Sequence, residues 1–238
     1  MRRVVVSSIG FAWERVFRAV ARIGLGEGDG LLLFNSLPKV DMAIEAMEMI
    51  KKRVEEVYPG VSVGSYWLDP RQGFEVNVAL IRRRVEEHAP CEAFFLAVGG
   101  FRWLALALSY AAFAAHTLSE MRKIYVKSLE LQLEEDLHSK ELLKQMFPTQ
   151  EERTIRIPLL LKLADVDLEG LQIMELVGRG LKRAKQLEDE LRMPKATMQR
   201  KLVQLVNKGL LAYEKRGRSY LYSLTPLARM LVNGGPQP

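Results

Sequence analysis

The strongest constraint in this chain is an alternation. Over the first 126 residues, short apolar runs rich in branched side chains take turns with longer stretches whose apolar residues recur every three or four positions. Residues 3–7, Arg3-Val4-Val5-Val6-Ser7, predict a strand, and residues 11–23 a helix with Phe11, Val16, Val20 and Ile23 near one face. Glycines between Gly24 and Gly30 end that helix and turn the chain. Further strands are expected over 31–34, 61–68, 92–98 and 122–126, and helices over 40–57, 74–87 and 101–118. Strands that alternate with helices imply a parallel sheet, because right-handed crossovers place the helices on its faces. The expected fold class is α/β, with a Rossmann-like parallel-sheet domain over residues 1–126.

In such a sheet, ligands bind outside the C-terminal ends of the strands, where loops enter helices. The candidate ligand-binding residues are Ser7, Ser8, Gly10 and Phe11 after the first strand, Asn35 after the second, and Gly99, Gly100 and Arg102 after the fourth. Asp69-Pro70-Arg71 follows the third strand. Backbone N–H groups, hydroxyls and a guanidinium at helix N-termini favour phosphate. The plainer reading makes Gly99-Gly100 a tight turn and Arg102 a surface or ion-paired residue. A nicotinamide or flavin enzyme would carry Gly-x-Gly-x-x-Gly after the first strand and an acidic residue at the end of the second. The chain has Ser7-Ser8-Ile9-Gly10-Phe11 and Asn35-Ser36 there, and it holds no Gly-Lys-Ser or Gly-Lys-Thr for a P-loop. Trp67 and Trp103 are expected in the core or an interface. His88, His116 and His138 are scattered, no acid–base pair is evident, and no catalytic residue or enzymatic activity is assigned.

Residues 127–158 change pattern. Leu129, Leu131 and Leu133 alternate with polar residues, 141–147 predict a short helix, and 153–157 alternate again, as in a structured connector that contributes to a dimer. Without Gly/Ser richness a floppy linker is not expected.

The last segment, residues 159–238, predicts a short helix over 185–191, a turn at Arg192-Met193-Pro194, and a second helix over 195–207 that buries Met198, Leu202, Leu205 and Val206. Gly209 stops it. Strands over 210–214 and 219–224 flank Lys215-Arg216-Gly217-Arg218, and Thr225-Pro226 opens a last helix to residue 232, threonine as cap and proline at the first turn. Helix, turn, helix, basic hairpin, helix is the layout of a winged helix-turn-helix. Its second helix suits the major groove of double-stranded DNA, and its wing the neighbouring backbone. The DNA-binding candidates are Lys195, Thr197, Gln199, Arg200 and Gln204 on that helix, with Arg216 and Arg218 on the wing. Residues 187–211 resemble the DNA-binding helices of prokaryotic regulators of the MarR and ArsR type.

Charge divides along the same line. The net of +6 lies entirely beyond residue 150: the first 150 residues hold 19 Lys+Arg and 19 Asp+Glu, the remainder 16 and 10. From Arg179 to Arg218 there are 12 basic residues against 4 acidic, an electrostatic footprint suited to a polyanion. The 238 residues, 48% apolar, suffice for two folded domains. A lone Cys91 and the absence of any Cys/His cluster exclude a disulfide scaffold and a zinc finger, and fit a reducing cytoplasm. The apolar run at Val4–Val6 is too short for a signal peptide. Residues 94–118 contain Gly99-Gly100 and Arg102 and are expected as strand, turn and buried helix with no membrane span.

Taken together, a polar Gly-Phe loop after strand one, a Gly-x-Arg turn after strand four, a connector and a winged helix resemble the CRISPR-associated Rossmann-fold (CARF) domain fused to a winged helix-turn-helix, as in archaeal CRISPR-associated transcriptional regulators. The resemblance covers nearly the whole chain. It implies a homodimer whose CARF halves form a symmetric pocket for a cyclic oligoadenylate, cyclic tetra-adenylate being the expected ligand, with no cofactor. It implies winged helices that bind promoters of CRISPR-associated genes or CRISPR repeats, in antiviral defence. By that resemblance Ser8, Gly10 and Phe11 line the first loop, while Gly99, Gly100 and Arg102 hold phosphate. Alternatives from the same resemblance are a ring nuclease, with phosphate stabilised by Arg102 and a hydroxyl such as Ser8 near the scissile bond, and a regulator that answers another small phosphorylated effector.

Overall fold

The computed structural model describes residues 1–132, 146, 154–157, 160–217 and 219–232. Its contacts divide the chain into two units, Met1–Leu161 and Lys162–Pro238, against the expected edge between 158 and 159.

The first unit contains strands β1 (Arg2–Ser8), β2 (Gly30–Ser36), β3 (Ser62–Leu68), β4 (Cys91–Ala97), β5 (Ile124–Gln132) and β6 (Thr154–Arg156). Its helices are α1 (Trp13–Ile23), α2 (Asp41–Val57), α3 (Phe74–Glu86), α4 (Arg102–Thr117) and the single turn α5 (Ser119–Arg122). Strand order is β3-β2-β1-β4-β5-β6, the first five parallel and β6 antiparallel to β5. The central strands are buried on both faces, which is why Val4-Val5-Val6 and Leu31 to Phe34 read as continuous apolar runs. On one face Val5, Ile9, Leu31, Leu33, Leu96 and Val98 pack with Val16 and Val20 of α1 and with Ala46 and Ile50 of α2. On the other, α3 and α4 pack together, and α4 also lies on β4 and β5. Alanines at 107, 111, 112, 114 and 115 are fully buried along α4, and their small size lets the helix approach the strands closely. Among the described residues no helix is long and apolar enough to cross a membrane.

Several expected boundaries shift. Polar Ser8, Asn35 and Ser36 were expected in loops but lie inside β1 and β2, because pairing of Ser8 with Phe34 and Ala97, and of Asn35 with Trp67, continues regardless of side-chain polarity. Strand β5 does not stop at 126. It runs to Gln132 after a register shift against Ala93/Phe94, and β6 joins it, so residues 127–132 and 154–156 of the expected connector belong to the sheet. The buried Glu130 carboxylate fastens this edge: Arg156 of β6 donates to it at 2.9 and 3.2 Å, and Arg22 of α1 pairs with it as well. The expected helix over 141–147 lies outside the described residues except for Met146.

The second unit contains α6 (Leu168–Gly178), α7 (Ala184–Leu191), α8 (Lys195–Asn207), the antiparallel hairpin β7 (Leu211–Arg216) and β8 (Ser219–Leu224), and α9 (Pro226–Leu231). Ile173, Met174, Leu187, Met198, Leu202, Leu210 and Leu231 are fully buried and form its core. Helix α6 supplies two of these and was not foreseen. Its start is set by Asp167, whose carboxylate accepts from the Gly170 N–H at 2.8 Å. The Thr225 hydroxyl caps α9 by accepting from Ala228 N–H at 3.3 Å, with Pro226 at the first position as expected.

Candidate functional site: a glycine junction at the strand ends

Strand order reverses between β1 and β4, and the loops that leave these strands meet there. The meeting is backbone against backbone. A Cβ on Gly10 would lie 2.8 Å from Gly100 N, one on Gly99 3.2 Å from Gly10 N, and one on Gly100 3.0 Å from Ile9 O. Gly100 also has φ +92°, a conformation open to glycine. Two helices start from this junction, α1 after Ala12 and α4 after Phe101, and neither start has a side-chain cap. Their first N–H groups and positive dipole ends are therefore available to an anion.

Arg102 is the first residue of α4, exposed, and without an ion pair among the described residues. A cation at a helix N-terminus opposes the macrodipole, so the position is relieved when an anion binds there. Phe11 and Phe101 flank the junction and are 57% and 55% exposed. Phe101 had not been singled out as a binding residue, although its place directly after Gly100 marked it.

Of the eight expected ligand residues, Gly10, Phe11, Gly99, Gly100 and Arg102 thus come together at the rim. Ser7, Ser8 and Asn35 do not. Ser7 and Ser8 are fully buried, and the Ser7 hydroxyl donates to Ser8 O at 3.0 Å and to Leu96 O at 3.3 Å, between β1 and β4. Among the described residues, buried Ser8 Oγ and Asn35 Nδ2 have no hydrogen-bond partner, while Asn35 Oδ1 accepts from Ser36 N–H at 2.7 Å. These three sit one layer beneath the rim because the strands continue through them. After β3, Asp69 and Arg71 satisfy each other: Arg71 donates through Nε and Nη2 at 2.9 Å, which holds the Asp69 carboxyl below its ordinary range and raises Arg71. Burial pushes the Cys91 thiol up to about 11, so it is no nucleophile near neutrality. Among the described residues no group of His, Cys, Asp and Glu could hold a metal ion.

In the second unit Lys195, Gln199, Arg200 and Gln204 are exposed on α8, and Thr197 is half-buried. Arg216 is exposed on β7 and donates to Glu214 at 3.2 Å; Arg218 lies outside the described residues. Two further cations of this region are engaged internally. Lys201 is held by Asp167 and, at 2.7 Å, by Glu169, and Lys208 pairs with Asp165 at 2.9 Å. The Asp167 carboxyl is held low chiefly by its hydrogen bond with Lys201, whose own value is raised by the same contact. A count of charges along the sequence therefore overstates what α8 offers: Lys195 and Arg200 are its cations without an ion pair among the described residues.

Residues 3–138 match the family described as Csa3 CRISPR-associated Rossmann-like domain. Among curated proteins no match was found. A similar solved structure is Enterococcus italicus Csm6 bound to cyclic hexa-2'-fluoro-hexa-dAMP, at 12% identity and a TM-score of 0.44, over 87% of this chain and 55% of that one. This chain thus spans about half the length of that protein's chain. The family match takes in more than half of the 238 residues, runs through all five parallel strands and includes both glycine loops, and so the chain belongs to the Csa3 CRISPR-associated Rossmann-like domain family.

Proposed function

We propose that the protein is a homodimeric, ligand-responsive DNA-binding regulator of CRISPR-associated genes, in which the glycine junction receives a cyclic oligoadenylate, specifically cyclic tetra-adenylate. The observation that carries the ligand half is the junction itself: two uncapped helix N-termini and Arg102, which has no ion pair among the described residues, converge where strand order reverses. Phosphodiesters match amide donors and a guanidinium, and exposed Phe11 and Phe101 offer faces for bases. Family membership supports the CRISPR setting. A two-fold symmetric ligand would be met by the same loops from each protomer.

The reading is of a sensor without cleavage, since Ser8, the hydroxyl considered for that chemistry, is fully buried. For the DNA half, support comes from the helix–turn–helix of α7 and α8 followed by a basic hairpin, which has the order of a winged helix-turn-helix. Lys195, Gln199, Arg200 and Gln204 would face the major groove and Arg216 and Arg218 the backbone. Coupling would follow from unequal ligand affinity for two dimer arrangements, because equal affinity shifts nothing.

Calorimetry with cyclic tetra-adenylate tests the ligand: saturable binding by the wild type and at least about tenfold weaker binding by Arg102→Ala are expected. Absence of heat with cyclic and linear oligoadenylates alike rejects it. Labelled cyclic tetra-adenylate should be recovered intact after incubation. Anisotropy with promoter DNA over a salt series tests the DNA half. Arg200→Ala should weaken binding and lower the salt slope by about one if it meets a phosphate; an unchanged affinity and slope in both Arg200→Ala and Lys195→Ala rejects it.

A further inference from the structure

The buried side of α8 is a stripe, Met198, Leu202 and Leu205, at spacings of four and three. About half a turn away around the helix runs a second stripe, Ala196, Arg200, Val203 and Asn207, and all four of its residues are exposed. Val203 is 56% exposed, an aliphatic side chain held in water at the middle of the face proposed above to meet DNA. A lone exposed apolar side chain is ordinary on a protein surface. This one is set apart by its neighbours, since Gln199 and Arg200 lie one turn before it and Asn207 one turn after it. The face is equally marked by what it lacks: from Lys195 to Asn207 there is no Asp or Glu.

We propose that α8 selects an A·T-rich element of duplex DNA, with Val203 packed against the methyl group of a thymine and Gln199 bonded to an adenine. The inference rests on the DNA half of the proposed function and adds to it the base pairs that the helix reads. In the major groove adenine presents N6–H and N7, which a side-chain amide matches in pairs; thymine presents its C5-methyl, and cytosine an amino donor that suits a carboxylate. The exposed face of α8 offers amides and aliphatic carbon and no carboxylate. Packing Val203 on a thymine methyl removes both from water, and cytosine, which has no methyl at C5, offers no such gain. Lys195 and Arg200 supply charge attraction, which is common to every sequence and leaves the choice of base to their uncharged neighbours.

The experiment selects binding sites for the full chain from a pool of random-sequence duplexes, then replaces the thymines of a selected duplex one at a time by deoxyuridine, which lacks only the methyl. The selected sites should be A·T-rich. At one thymine position the replacement should weaken wild-type binding about fourfold, the worth of one buried methyl. Val203→Ala should bind the thymine duplex more weakly than the wild type and lose nothing further to deoxyuridine at that position. Its salt slope should equal that of the wild type, because no phosphate contact is removed. Gln199→Ala should become insensitive to 7-deaza-adenine in place of adenine, since that base lacks N7. The inference is overturned if the selected sites are G·C-rich, if deoxyuridine at every thymine position leaves wild-type affinity unchanged, or if the losses from deoxyuridine and from Val203→Ala add in full. Absence of binding to any duplex rejects the DNA half of the proposed function and this inference with it, whereas duplex binding without methyl dependence rejects this inference alone.

Discussion

The glycine junction is decided by single atoms. With 2.8 Å between a Gly10 Cβ and Gly100 N, Gly10→Ala forces one of two backbone loops to move, and neither is a flexible side chain that can swing away. We expect it to cost about 1–3 kcal/mol, to lower the thermal midpoint of the first unit, and to weaken ligand binding at the junction by displacing the start of α1 or α4. Gly26→Ala, where the nearest atom would be Asp29 Oδ2 at 3.9 Å, serves as the control and should be close to neutral. Equal midpoints for the two variants would show that the loops do not need their close approach. Glycine at positions 10, 99 and 100 was legible in the sequence as a pair of loop ends. Their mutual contact was not, because they are some 90 positions apart and meet through strand order.

At the scale of elements, the contact most open to test joins α6 to α8. Asp167 has two tasks there: its carboxylate caps α6 through Gly170 N–H, and it binds Lys201 together with Glu169. Asp167→Asn keeps a capping oxygen and removes the charge, so at pH 7 it should cost less than about 1 kcal/mol, the Asp167 carboxylate being largely exposed. Asp167→Ala should cost about 1 kcal/mol more through loss of the cap. Because the folded Asp167 carboxyl lies below its ordinary value of 3.8, its contribution is present above that value and is lost as pH falls through the lower, folded one. The difference between wild type and Asp167→Asn, followed by denaturant unfolding, should therefore shrink on acidification; a difference that grows below pH 4 would exclude the ion pair as its source. Helix α8 itself was legible from 195 to 207, since Met198, Leu202 and Leu205 mark its buried face. Helix α6 was missed although its pattern is helical: Glu169, Gln172 and Glu175 lie three apart on the outer side, while Leu171, Ile173, Met174, Leu176 and Val177 are buried.

For the whole molecule, two units with separate cores predict unfolding that depends on the probe. All three tryptophans, Trp13, Trp67 and Trp103, belong to the first unit, whereas both units are helical. Tryptophan fluorescence should report the first unit alone, and far-UV ellipticity both, so urea midpoints from the two signals should differ. Coincident midpoints and slopes would mean that the units unfold as one. The charge division follows the same partition: the first 150 residues are neutral and the remainder carries the net +6, so a polyanion is drawn to the second unit while anions at the first must be held locally.

By itself the sequence determined the alternation of strands and helices, and with it a parallel sheet, because period and chain order are local properties that survive without any knowledge of contacts. It also determined the helix–turn–helix–hairpin order of the second unit and the concentration of charge there. Only the tertiary structure decided which residues face the ligand side. It drew Ser8 and Asn35 into the strands, since backbone pairing does not stop where side chains turn polar. It engaged Lys201 and Lys208 with carboxylates from a neighbouring element and its approach, and it brought Arg22 and Arg156 together on the buried Glu130. Burial and charge pairing join residues distant along the chain, so they exist only once strand order has placed those residues side by side.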